Sequence, residues 1–172
     1  MKYKLMCVCA VLAMAAVPAS AQTKHTFSGK CNKPDVLQTV PAGDKDGHSF
    51  MLEKGSCDTT TGEVEGVKSK EGAFVEHGEA SGTRTQAWGV YVETFDNGDK
   101  IFYDYHTYGK RKDGAFASGE NRYHITGGTG KMKGIKGSGS CKLTGNSSGG
   151  LDYACTGEYT ISAAKASAKK KS

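Results

Sequence analysis

After Pro41 the chain runs to Ser172 without another proline, and nothing along it repeats at a helical spacing. Short runs rich in Thr, Tyr, Val and Phe alternate instead with glycine-bearing turns, the pattern of strands joined by tight connections. Proline cannot donate to a β-ladder, so its absence suits an uninterrupted antiparallel sheet. The predicted strands are 26–30, 49–57, 63–67, 73–80, 83–95, 100–110, 115–125, 137–143 and 153–161. Pro34 and Pro41 fall in the segment 32–47, which reads as a long loop. Eight or nine strands in one chain of this length close into a barrel or stack as a sandwich. No fixed-period repeat points to a propeller or solenoid. The expected fold is all-β, a single antiparallel barrel of about eight strands, with a β-sandwich as the alternative.

The two ends read differently from the middle. Residues 1–21 combine Lys2 and Lys4, an apolar run over 5–17 and a small-x-small ending at Ala19 and Ala21. That is the pattern of a secretory signal peptide, and its apolar run is shorter than the roughly 20 residues that span a bilayer. Residues 22–162 form the expected barrel domain, with no further apolar stretch of membrane length. Residues 163–172 carry Lys165, Lys169, Lys170 and Lys171 without apolar bulk and read as a disordered tail, open to weak attraction by an anionic surface. The formal charge of +5 comes from these ends, because without their lysines the 18 acidic groups slightly outnumber the basic ones. A nucleic-acid partner is therefore not expected. The expected location is periplasmic or secreted.

Export gives the cysteines their meaning. Cys7 and Cys9 lie within the signal, leaving Cys31, Cys57, Cys141 and Cys155. An even count in an exported chain predicts two disulfides. Cys141 and Cys155 flank the turn-rich stretch Asn146-Ser147-Ser148-Gly149-Gly150, so a hairpin there sets them opposite each other, and Cys31 with Cys57 follows by elimination. No Cys-x-x-Cys or Cys-x-x-His pair suggests zinc. The histidines, His25, His48, His77, His106 and His124, are dispersed, and neither a metal nor another cofactor is expected.

The clearest local signal is the hairpin around Asp96-Asn97-Gly98-Asp99. Asn-Gly favours a two-residue turn, which pairs residues whose numbers sum to 195. Val92 then faces Tyr103, Val90 faces Tyr105, and Trp88 and Ile101 join that apolar face. The other face carries Tyr91, Glu93, Asp104 and His106, with Tyr91 opposite Asp104 and His106 opposite Gly89. These assignments stand or fall together, because a one-residue slip exchanges the two faces.

Beyond the hairpin comes Tyr123-His124-Ile125-Thr126-Gly127-Gly128-Thr129-Gly130-Lys131, then Gly134 and Gly137-Ser138-Gly139. This stretch resembles the Gly-Gly-Thr-Gly-Lys/Arg segment of the dirigent and allene oxide cyclase-like barrels, and the Asn97-Gly98-Asp99 hairpin resembles the same group and its uncharacterised bacterial exported relatives. The resemblance spans residues 88–139 and implies a calycin-like, eight-stranded antiparallel barrel with a lumen. It carries no activity across, since fold analogy alone does not give function. A Walker loop is excluded by Ile125 where glycine is required and by Met132 where a hydroxyl is required.

Two classes of function are open. A binding module would hold a small apolar or aromatic ligand against Trp88, Tyr103 and Tyr105. An enzyme of the cyclase or isomerase kind would use Glu93 or Asp104 with His106 and Tyr91 as proton-transfer groups. The charged face turned outward to water, with the apolar face filling the barrel as a structural core, is the arrangement alternation favours, since charges are seldom buried unpaired. The balance leans away from an enzyme. A homo-oligomer is left open, and Asn146-Ser147-Ser148 matches a glycosylation acceptor.

Overall fold

The computed structural model describes residues 22–162, so the expected signal and tail lie outside the described residues. Nine strands form one antiparallel sheet: β1 Thr23–Cys31, β2 Val36–Pro41, β3 His48–Val64, β4 Val67–Ser81, β5 Arg84–Phe95, β6 Lys100–Lys112, β7 Ala115–Gly128, β8 Ile135–Gly145 and β9 Leu151–Ile161. The order β1-β9-β8-β7-β6-β5-β4-β3 closes on itself through β1 pairing with β3. This is an eight-stranded barrel, as the resemblance implied, and the sandwich alternative falls away. The ninth strand, β2, pairs only with β3 and continues the line of β1 along it.

Two expected boundaries differ. β2 lies inside the segment read as a loop, because Val36-Leu37-Gln38-Thr39-Val40 is a good strand former and Pro41 sits only at its end. The expected strand 63–67 is instead a hairpin: Val64 pairs with Val67 across Glu65-Gly66, both with positive φ, as a tight primed turn requires.

The largest correction concerns the β5–β6 register. The turn is longer by one residue, Asp96-Asn97-Gly98, with the Phe95 N–H donating to the Asp99 carbonyl at 2.9 Å. Only Gly98 takes positive φ, while the Asn97 side chain accepts from the Asp99 N–H at 3.0 Å. Tyr91 therefore pairs with Tyr103, Gly89 with Tyr105 and Trp88 with His106, and the faces differ from those a two-residue turn would give.

Both cross-strand disulfides form. Cys31–Cys57 joins directly paired residues of β1 and β3, and Cys141–Cys155 joins directly paired residues of β8 and β9.

One end of the barrel is packed shut. Phe95, Ile101, Met132 and Ile135 are all essentially inaccessible there, with Val64 and Val67 beside them. Met132 arrives on a short 3₁₀ turn, Gly130–Met132. That turn is tied to the β5–β6 hairpin: the Thr129 hydroxyl accepts from the Lys100 N–H at 2.9 Å, and the Asp99 carboxylate accepts from the Lys131 N–H at 3.0 Å. The two stretches that carry the family resemblance thus meet at the closed end.

Further along the barrel the glycines have a second use. A Cβ on Gly72 would fall 2.0 Å from the Tyr91 hydroxyl, and one on Gly139 or Gly157 within 2.3 Å of the Tyr123 hydroxyl. Tyrosine rings lie across glycines of neighbouring strands, flat against the wall, and this keeps the middle of the barrel open.

Candidate functional site

The open end holds a cavity of about 350 Å³. Phe27, Tyr91, Tyr103, Tyr123 and Tyr153 surround its depth, and Phe74, Tyr105 and Phe116 its wall nearer the opening. Leu37 and Thr39 of β2 complete the wall beside β3, where β1 has already ended. Alternation along each strand dictates this lining, because residues two apart share a face.

Two carboxyl groups stand in this aromatic wall. Glu53 on β3 and Glu76 on β4 are direct cross-strand partners and both line the cavity. Glu76 accepts a hydrogen bond from the Tyr105 hydroxyl at 2.7 Å. Glu53 makes no side-chain hydrogen bond or ion pair among the described residues. Burial first, and then the like charge of Glu76, push the Glu53 carboxyl up to about 7, with Arg111 working in the opposite direction. Burial also raises the Glu76 carboxyl, against the Tyr105 hydrogen bond. Arg111 reaches the cavity from β6 and donates to the Gly114 carbonyl in the β6–β7 turn.

Below the cavity lies a third acid. Glu93 is 2% exposed and accepts hydrogen bonds from the Ser69 and Tyr103 hydroxyls. Burial raises its carboxyl above the usual range, opposed by those two donors. The buried Tyr91 hydroxyl makes no well-directed hydrogen bond among the described residues, although the Tyr153 and Thr59 side chains lie against it.

The residues singled out in sequence are divided by the barrel wall. Tyr91, Glu93, Tyr103 and Tyr105 point inward, whereas Trp88, Asp104 and His106 lie on the outer face. Outside, Trp88 is stacked between His77 at 5.8 Å and His106 at 4.4 Å, and His106 packs on Tyr108 at 4.0 Å. The constellation of Tyr91, Glu93, Asp104 and His106 is therefore not assembled, and Trp88 does not share a surface with Tyr103 and Tyr105. Glu53, Glu76 and Arg111 were missed. A signal for Glu76 was present: Gly82-Thr83 makes a two-residue hairpin pairing Ser81 with Arg84, which places Glu76 beside Gly89 on the inner face. The histidines stay apart, with His25 bonded to the Tyr123 hydroxyl at 3.1 Å and His48 set between Asp44 and Glu79.

The raised carboxyls give a signed pH dependence. Between the ordinary glutamate value and about 7 the folded barrel holds more protons at Glu53 than the unfolded chain does. Stability therefore falls as pH rises through that window and levels off above it. Glu76 and Glu93 are shifted the same way and steepen the fall. Urea unfolding is expected to show a lower midpoint at about pH 8 than at about pH 5. Glu53→Gln should recover part of the loss at the higher pH while changing little at the lower one.

No family model matches the chain, and no curated protein matches it. Among solved structures, a pterocarpan synthase dirigent protein superposes with a TM-score of 0.44 at 12% identity, over 89% of this chain and 100% of that one.

Proposed function

We propose that this is an exported binding protein that holds a small aromatic ligand in the open end of its barrel. The observation that carries the reading is the cavity itself: about 350 Å³, walled by flat-lying aromatic rings with a few polar groups among them. Ligand sites combine enclosed apolar surface with a small number of orienting polar atoms, and span about 300–1,000 Å³. Two disulfides accord with an extracellular setting, and the signal-like first 21 residues support export to the periplasm or medium.

Native mass spectrometry of protein purified from its host is the direct test, and a stoichiometric small molecule is the expected result. Thr85 lines the opening, so Thr85→Trp should abolish the bound mass while leaving the far-ultraviolet circular dichroism unchanged. Retention of the ligand by that variant, or repeated absence of any ligand from the native protein, would defeat the proposal.

A second reading has one specific support. Glu53, with its carboxyl near neutrality, stands beside the Glu76–Tyr105 pair, an arrangement suited to proton transfer. It requires turnover of the bound molecule, which the same mass measurement would register as a change of ligand mass over time.

A further inference from the structure

The cavity wall has a charge pattern that a neutral aromatic ligand leaves unused. Glu53 and Glu76 are directly opposed across β3 and β4, an arrangement that costs stability when both are ionised. Glu76 has the Tyr105 hydroxyl, but Glu53 has no partner among the described residues. The cavity lining around Glu53 takes Glu76 from β4, Tyr91 from β5, Tyr105 and Arg111 from β6, and the uncharged Leu37 and Thr39 from β2. Of these, Glu76 and Arg111 are the charges that act on it. Arg111 is engaged with the Gly114 carbonyl. The ionised wall therefore carries an excess negative charge, ringed by Phe74, Tyr91 and Tyr105. An aromatic ring presents its negative face to a cation, and an enclosed carboxylate gains from a counter-ion that replaces water.

We propose that the ligand is an organic cation, its ammonium group held between Glu53 and Glu76 and its aromatic remainder laid against Phe74, Tyr91 and Tyr103. This rests on the ligand-binding reading and narrows it to a chemical class. An ammonium at this position removes the repulsion between the two acids and gives Glu53 its partner. Binding then favours ionised Glu53, so affinity for the cation rises with pH through the neutral range, while an alkylammonium stays charged throughout.

Two probes of the same shape separate the charge from the ring: 2-naphthylmethylammonium and the neutral 2-naphthalenemethanol, titrated calorimetrically into the oxidised protein. At about pH 8 the cation should bind at least tenfold tighter than the alcohol, as a desolvated ion pair with aromatic support gives. At about pH 5.5 that preference should shrink to less than about threefold, because protonated Glu53 no longer distinguishes the probes. Glu53→Gln should cut the preference at about pH 8 to the level seen at about pH 5.5, measured against the alcohol on the same variant, and its urea midpoint reports that it is folded. Equal affinities at the higher pH, or a preference that survives in the Glu53→Gln/Glu76→Gln double variant, would overturn the cation assignment and leave aromatic binding standing. Failure of both probes to bind the native protein would overturn the binding reading as well.

Discussion

Gly139→Ala is expected to destabilise the barrel by about 3 kcal/mol, the upper end of the overpacking range. A Cβ there would lie 2.2 Å from the Thr156 carbonyl oxygen and 2.3 Å from the Tyr123 hydroxyl. The second contact could be relieved by swinging the ring into the lumen. The first cannot, since it belongs to the β9 backbone that Gly139 pairs beside. Relief requires β8 and β9 to separate, and Cys141–Cys155 pins them two residues away. Gly127→Ala is the matched control, because its new methyl would meet nothing closer than the Phe102 ring at 4.0 Å. Urea titrations of the two variants should differ by nearly the whole effect. A Gly139→Ala midpoint within error of Gly127→Ala would mean that the β8–β9 spacing is looser than described.

Removing the Cys141–Cys155 disulfide by paired serine substitution should cost a similar amount, roughly 3 kcal/mol in the chain-entropy treatment for a loop near 15 residues. The loss appears in the unfolded chain, which gains freedom, so the folded barrel should keep its circular dichroism. Replacing Cys31 and Cys57 opens a longer loop and should cost slightly more on the same reasoning. The cysteines of both bridges line the cavity, but Cys31–Cys57 sits where β1 gives way to β2, so on the proposed binding reading its loss should weaken ligand retention as well as stability. Chemical denaturation with and without reductant checks the first claim, and native mass spectra of the reduced protein check the second. An unchanged midpoint on reduction would sink the stability estimate.

How much could be read in advance depended on the range of the interaction concerned. Most strands and the disulfide pairing follow from local alternation, turn residues and cysteine count and were legible, β2 and the hairpin at Glu65-Gly66 apart. Closure into a barrel and not a sandwich was implied by the resemblance. Face assignment was not legible, because it hangs on one residue in the Asp96–Asp99 turn. Asn-Gly signals a two-residue loop, yet Asn97 stays at negative φ and its side chain caps the turn instead, leaving Gly98 alone in the left-handed region. That one extra residue set Glu93 inside and Asp104 outside. The pairing of Glu53 with Glu76 was hidden for a different reason, although the Gly82-Thr83 hairpin gave Glu76 its inward face. Each is an ordinary glutamate in a strand, and only the pairing of β3 with β4 makes them neighbours.

The turn that bears Thr129-Gly130-Lys131 and the hairpin that bears Asn97-Gly98-Asp99 clasp each other at the sealed end, whereas Glu53, Glu76 and Arg111 surround the opposite opening. What ties the barrel together and what lines its mouth are thus set at opposite poles of one short cylinder. On the proposed binding reading, changes at the opening can retune what is held while the clasp is left alone. A sequence likeness confined to the clasp therefore speaks to how such a barrel is built and not to what it would hold.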